Sequence, residues 1–175
     1  MFKLVKPSIK YKEKCISYIN EFYEYNSTIN GVGKLDCYLK NSNFENWLKY
    51  IDSLTNKSEY FLVNDENNII GMINIRHSLD EKHKIRGGHI GYSIRPLERR
   101  KGYNKINLYL ALEKMKELNV KEVLITCDDT NVASYKSIES LGGILIEKLL
   151  YEGVVIRRYI IDVADSLKKY RFLVK

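Results

Sequence analysis

Apolar and polar positions change period several times along the chain, and each change marks an element. Phe2 to Lys6 reads as a short strand, and Pro7 with Ser8 is a helix-start signal. Ile9, Tyr11, Cys15, Ile16, Tyr18, Ile19, Phe22 and Tyr23 then make a broad apolar face at helical spacing. Residues 26–42, NSTINGVGKLDCYLKNS, hold two glycines and no clear period, so they read as a long loop of the kind that often carries function. A second helix over 44–53 carries Phe44, Trp47, Leu48 and Ile51.

From Glu59 the period becomes two. EYFLVN, the turn-rich DENN and IIGMINIRH predict a hairpin. A further strand over 88–95 places Ile90, Tyr92 and Ile94 on one face and His89, Gly91 and Ser93 on the other, and Pro96 ends it. Gly102 opens a helix with the stripe Leu108, Ala111, Leu112, Met115 and Leu118, closed by Asn119. Val123 to Cys127 has the continuous apolar character of a buried strand. Asp128 to Asn131 supply capping chemistry for a short helix, and Gly142 and Gly143 stop it. The last run, 143–163, reads as two strands around Tyr151, Glu152 and Gly153. The order is strand, two helices, three strands, helix, strand, helix, two strands: a mixed α/β chain.

The 175 residues fit one domain, read here as 1–163 with a basic tail, 164–175. A domain of this size buries roughly 70% of the surface that its unfolded chain exposes, so it folds without staples. Cys15, Cys37 and Cys127 are odd in number, widely spaced and form no CxxC, which argues against a disulfide framework or a zinc site. No apolar stretch approaches the roughly 20 residues of a membrane span and the first residues are too polar for a secretory signal, so a cytoplasmic protein without membrane contact is expected. The formal charge of +7 fits nucleic acid, acidic substrates or an anionic cofactor. Nucleic-acid binding rests on that charge alone, because most of the 14 tyrosines fall within the helix and strand patterns.

Placement is more informative than net charge. RRKGYNK, 99–105, lies at a strand-to-helix junction. A helix N-terminus presents unpaired N–H groups and a partial positive charge, so a glycine turn leading into it makes an anion cradle. A lone glycine after cations is a nonspecific signal. The stretch lacks GxxxxGK[ST] and GxGxxG, which leaves nucleotide hydrolysis and hydride transfer without support.

The order strand, RPxxRxxGY, helix, apolar strand and NxxSxxxIExxGG resembles the GNAT superfamily of N-acetyltransferases over about residues 59–163. The resemblance implies a single-domain mixed, mostly antiparallel sheet with splayed central parallel strands, flanked by helices. It implies acetyl-coenzyme A as cosubstrate, no metal, and an amine acceptor belonging to a small molecule or a peptide. Ile94 and Arg95 would line the pantetheine arm, which pairs with exposed strand backbone like an added strand. Arg99, Arg100, Lys101, Gly102, Tyr103, Asn104 and Lys105 would hold the pyrophosphate, with Asn131 and Ser134 on the other side of the arm. Asn104 stands where the family prefers Gly or Ala. Ile138 stands where many members carry a tyrosine that protonates the departing thiolate.

Two residues are therefore candidates for catalysis. Tyr135, one turn before Ile138, is the candidate acid, and His89, on the strand that supplies the family's usual carboxylate, the candidate base. Glu24 and Asp36 in YEYNSTINGVGKLDCY, 23–38, and Asp80 and Glu81 in the loop after His77 are candidate acceptor-wall carboxylates. A coenzyme A binding module without turnover is the alternative reading, and the sequence leaves a homodimer open.

Overall fold

The computed structural model describes residues 1–174. Strands β1 (Lys3–Val5), β2 (Lys57–Val63), β3 (Ile69–Arg76) and β4 (Ile90–Ile94) form a four-stranded antiparallel sheet in that order. Strands β5 (Glu122–Asp128), β6 (Ile144–Tyr151) and β7 (Val154–Asp162) form a second antiparallel sheet in which β7 lies in the centre. The helices are α1 (Lys12–Glu24), α2 (Leu35–Asn41), α3 (Phe44–Asp52), α4 (Glu81–Ile85), α5 (Tyr103–Glu117), α6 (Val132–Glu139) and α7 (Val163–Lys169).

Strand alternation divides the core into two layers. Phe61 and Val63 of β2 and Met72 of β3 bury against Tyr18, Phe22, Phe44 and Trp47 of α1 and α3. On the other face Ile73 and Ile75 meet Leu108, Ala111, Leu112 and Met115 of α5, which also covers Val123, Ile125, Tyr159 and Ile161 of the second sheet. One helix thus holds the two sheets edge to edge. Asn119, in the left-handed region at φ 58°, ends α5 where the sequence places its stop.

Three helices depart from the sequence expectation. Within the loop read over 26–42, Val32 and Leu35 are buried, and Leu35 starts α2, a helix of under two turns and too short to show a period. α4 lies in the loop after His77, with Asp80 as its N-cap. The segment separated as a basic tail begins with α7, whose Val163 and Ser166 are buried. The Ser166 hydroxyl donates to the Leu141 carbonyl at 2.7 Å, and the Tyr109 hydroxyl donates to that of Leu167 at 3.1 Å. Residue 175 of that tail lies outside the described residues. No described helix is long and apolar enough to cross a membrane.

The expected pair of parallel central strands is not seen as a ladder among the described residues. β4 and β5 approach at one isolated antiparallel bridge, Gly88 with Ile125. Gly87 and Gly88 have φ of 120° and 63°, so the chain turns sharply there and does not extend the pairing. A Cβ on Gly88 would lie 2.4 Å from the Leu124 carbonyl oxygen, so only glycine permits the approach.

Candidate active site

The turn between β4 and α5 is shaped by backbone rather than by its cations. Arg100 and Gly102 are left-handed, at φ 62° and 82°, and Gly102 is the N-cap of the 15-residue α5. A Cβ on Gly102 would meet nothing within 4 Å, so its glycine serves the backbone angle and the space outside the turn is open. The Lys105 N–H donates to the Gly102 carbonyl at 3.1 Å, and the N–H groups before it at the start of α5 carry the positive end of the helix without intrahelical partners.

The side chains of the stretch have other partners. Lys101 Nζ donates to Glu98 at 3.0 Å. Arg99 Nε donates to the Ile94 carbonyl at 3.1 Å while its guanidinium covers the Phe22 ring at 5.3 Å. Lys105 Nζ lies 4.8 Å from the Tyr170 ring centre, Tyr103 packs on Phe2, and Arg100 is exposed. Asn104 does not crowd the outer surface of the turn. Its side chain points inward to the Tyr92 hydroxyl, and its Oδ1 is buried with no hydrogen-bond partner.

Arg95, expected beside the cofactor arm, is engaged within the protein on both main chain and side chain. Its main-chain N–H donates to Ile70 of β3, and its guanidinium is held by Glu21 of α1, with Nε at 2.7 Å from Oε2. Glu21 Oε1 also accepts the Leu97 N–H at 2.8 Å, so this pair ties the turn to α1. Ile94 is placed differently. Because Arg76 and Ile70 bond the odd-numbered His89 and Arg95, the strand's alternation turns the main chain of Tyr92 and Ile94 away from β3 toward the second sheet.

His89 lies in the seam between the sheets. Its N–H donates to the Leu124 carbonyl at 2.7 Å, and its Nδ1 accepts the Leu124 N–H at 2.9 Å. The ring therefore substitutes for a missing strand partner. Burial, above all, pushes its pKa below the usual histidine value, which keeps it neutral. Tyr135 lies outside the cleft described next, with the Arg157 guanidinium 4.0 Å from its ring centre.

A cleft of about 490 Å³ runs between the two sheets and brings Asn131 and Ser134 together with residues the sequence reading did not select. Asn131 Oδ1 caps α6 by accepting the Ser134 N–H at 3.1 Å. The Ser134 hydroxyl is 2.5 Å from that of Tyr92, whose deep burial raises its pKa and keeps the phenol protonated. At the other end the floor carries Glu59, only 5% exposed. Its Oε2 has no hydrogen-bond partner, and burial pushes its pKa up to about 8 against the opposing pull of Arg76, Lys57 and Lys6.

Glu59 is held by register. It pairs with Asn74, which pairs with Gly91, and a Cβ on Gly91 would strike the Asn74 side chain at 2.5 Å. Gly33 lies over the carboxyl so closely that a Cβ there would also come within 2.5 Å. The Gly33 carbonyl accepts Trp47 Nε1 at 2.9 Å, which fixes the covering loop. One sequence signal for Glu59 exists: it shares period two with Phe61 and Val63, and so sits as a carboxylate on an apolar strand face.

The expected acceptor walls divide. Asp36 lines the cleft, as do Arg86 and Gly87 after α4. Glu24 is exposed outside it, Asp80 accepts the His83 N–H at 2.8 Å, and Glu81 pairs with Lys84 at 2.6 Å.

Comparison with known proteins agrees with this fold. The fold matches the spermidine/spermine N-acetyltransferase SpeG from Vibrio cholerae, in mutant forms, with a TM-score of 0.69 at 15% identity over 96% of this chain and 97% of that one. A structure of the spermidine N-acetyltransferase from Vibrio cholerae in complex with CoA and spermine gives 0.67 at 15% identity, over 95% and 98%. An acetyltransferase of the GNAT family from Bacillus anthracis gives 0.62 at 18% identity, over 93% and 95%. No curated protein shows significant sequence similarity to the chain. The acetyltransferase (GNAT) domain family matches residues 20–144. With most of its length matched, the chain belongs to the GNAT superfamily, the acetyl-coenzyme A dependent N-acetyltransferases.

Proposed function

We propose that the cleft between the sheets transfers the acetyl group of acetyl-coenzyme A directly to an amine bound over Glu59. The observation that carries this reading is continuity: one cleft reaches from the buried Glu59 carboxyl to Asn131 and Ser134. The cofactor's pyrophosphate rests on the N–H groups of the Arg100 to Asn104 turn, where the left-handed Arg100 and Gly102 leave the approach open. Asn131 and Ser134 flank the pantetheine arm, and the outward main chain of Tyr92 and Ile94 pairs with it.

The attacking amine must be neutral, whereas a lysine-like ammonium has a pKa of about 10.4. Glu59 is matched to that task. An ammonium seated on it favours the carboxylate, which then takes the proton as the nitrogen forms its bond to the thioester carbon. The carbon–sulfur bond breaks, the second proton of the attacking nitrogen passes to the sulfur, whose conjugate acid has a pKa of about 8.5, and coenzyme A leaves as the thiol. Tyr92, still protonated, donates a hydrogen bond to the departing sulfur, with Ser134 as its partner. This assigns to β4 the role that Ile138 cannot perform from α6. His89 and Tyr135 act as seam and packing residues.

Thiol release from acetyl-coenzyme A across a panel of amines, with acetylated product identified by mass, tests the reading. Expected is amine-dependent turnover that Glu59→Gln lowers about 100-fold or more without changing coenzyme A affinity. Cofactor binding with no acetylation of any amine would overturn it.

A further inference from the structure

We propose that the acceptor is an amino acid, an amine that carries its own carboxylate, rather than a polyamine. This rests on the reading of the cleft as the transfer site and names the class of molecule that enters its open half.

Two charged groups of opposite sign line that half without pairing. Glu59 on β2 is diagonal to Arg76 on β3, since Glu59 opposes Asn74 and Lys57 opposes Arg76 on the same sheet face. No ion pair joins Glu59 to Arg76 among the described residues, although both line the cleft. Each leaves a buried polar atom unpartnered, Oε2 of Glu59 and Nε of Arg76. Arg76 is held in place by its Nη1, which donates to the Gly88 carbonyl at 2.9 Å. Buried donors and acceptors left in this state call for a partner. A ligand with an ammonium beside a carboxylate satisfies both ends at once.

The remaining charges exclude a polycation. The cleft is lined by three carboxylates, Asp36, Glu59 and Asp128, and four cations, Lys34, Lys57, Arg76 and Arg86. Asp128 is engaged by Arg86 at 3.1 Å. That leaves two carboxylates against three cations, and a chain of several ammonium groups would meet more repulsion than attraction. A carboxylate finds Arg76 and Lys57 on one face, where an Arg fork gives it two parallel hydrogen bonds.

The test compares matched acceptors: lysine with cadaverine, ornithine with putrescine, leucine with isoamylamine, phenylalanine with phenethylamine, and spermidine. Thiol release gives kcat/KM, and calorimetric titration into protein saturated with coenzyme A gives acceptor affinity without any chemistry. Expected is a preference of roughly 10- to 100-fold for members that keep the carboxylate in both readouts. Arg76→Met should abolish that preference while coenzyme A affinity is unchanged, and Arg76→Lys should restore part of it. Preference for spermidine or the decarboxylated amines, or equal losses for both members of each pair in Arg76→Met, would overturn the proposal. Amine acetylation indifferent to the carboxylate defeats only this inference. Carboxylate-selective binding without acetylation of any amine defeats the transfer reading and, with it, the assignment of an acceptor.

Discussion

The hydroxyl of Tyr92 on β4 meets that of Ser134 on α6 at 2.5 Å, bridging the two halves of the molecule across the cleft. The Tyr92 ring packs against the core beneath α5, so removing the oxygen alone leaves that packing in place. Tyr92→Phe should lower kcat about 10- to 100-fold and leave the acceptor KM nearly unchanged, as measured by thiol release under saturating cofactor. An unchanged kcat would remove Tyr92 from the chemistry.

Glu59 gives a prediction in pH. Its carboxyl titrates near 8 in the free protein, so kcat/KM should rise through that value as the base ionises, and Glu59→Gln should abolish that limb. Stability should move the opposite way. The folded state holds the proton above the ordinary carboxylate range, so the unfolded state binds fewer protons between about pH 4.5 and 8. Stability therefore falls as pH rises through that window, by at most about 1.4 kcal/mol per unit, and Glu59→Gln flattens the slope. Urea melts from pH 5 to 9 measure it.

His89 makes the reverse prediction. Its pKa is depressed in the fold, so the unfolded state takes up a proton first as pH falls below about 6.5, and stability drops on the acid side. His89→Ala leaves the Leu124 N–H without its acceptor and should cost about 1–3 kcal/mol in denaturant melts. The variant should keep most of its kcat at a temperature where it remains folded, whereas a catalytic base would lose about 100-fold or more.

The cradle separates backbone from side chain. Gly102→Glu forces a side chain into a left-handed position and adds negative charge at the helix start, so coenzyme A affinity should fall at least about 10-fold by calorimetry. Arg99→Ala removes one cation whose Nε already bonds Ile94, so its effect should be smaller, about 2- to 10-fold. Equal effects would show that charge, rather than turn geometry, holds the phosphates.

Period and turn signals determined the seven strands and the four longer helices, most of which bury an apolar face; β6 was legible from its pairing across the Tyr151 to Gly153 turn, although its apolar side chains Ile144, Ile146 and Leu150 are exposed. The Gly102 turn was legible as a local backbone requirement. Asn131 was legible through capping, which acts over three residues. Tertiary structure decided the rest. A histidine at 89 reads as a base until its ring is found on the main chain of Leu124, 35 residues away. Arg95 reads as a cofactor contact from its neighbours, and only the fold brings Glu21, 74 residues distant, onto its guanidinium. Glu59 gains its raised pKa only when Gly33 covers it and Asn74 stands opposite, contacts from two other segments. Local sequence sets backbone preference and which face is apolar, whereas the chemistry of a charged group depends on the water it loses and the partners it meets, and these come from distant parts of the chain.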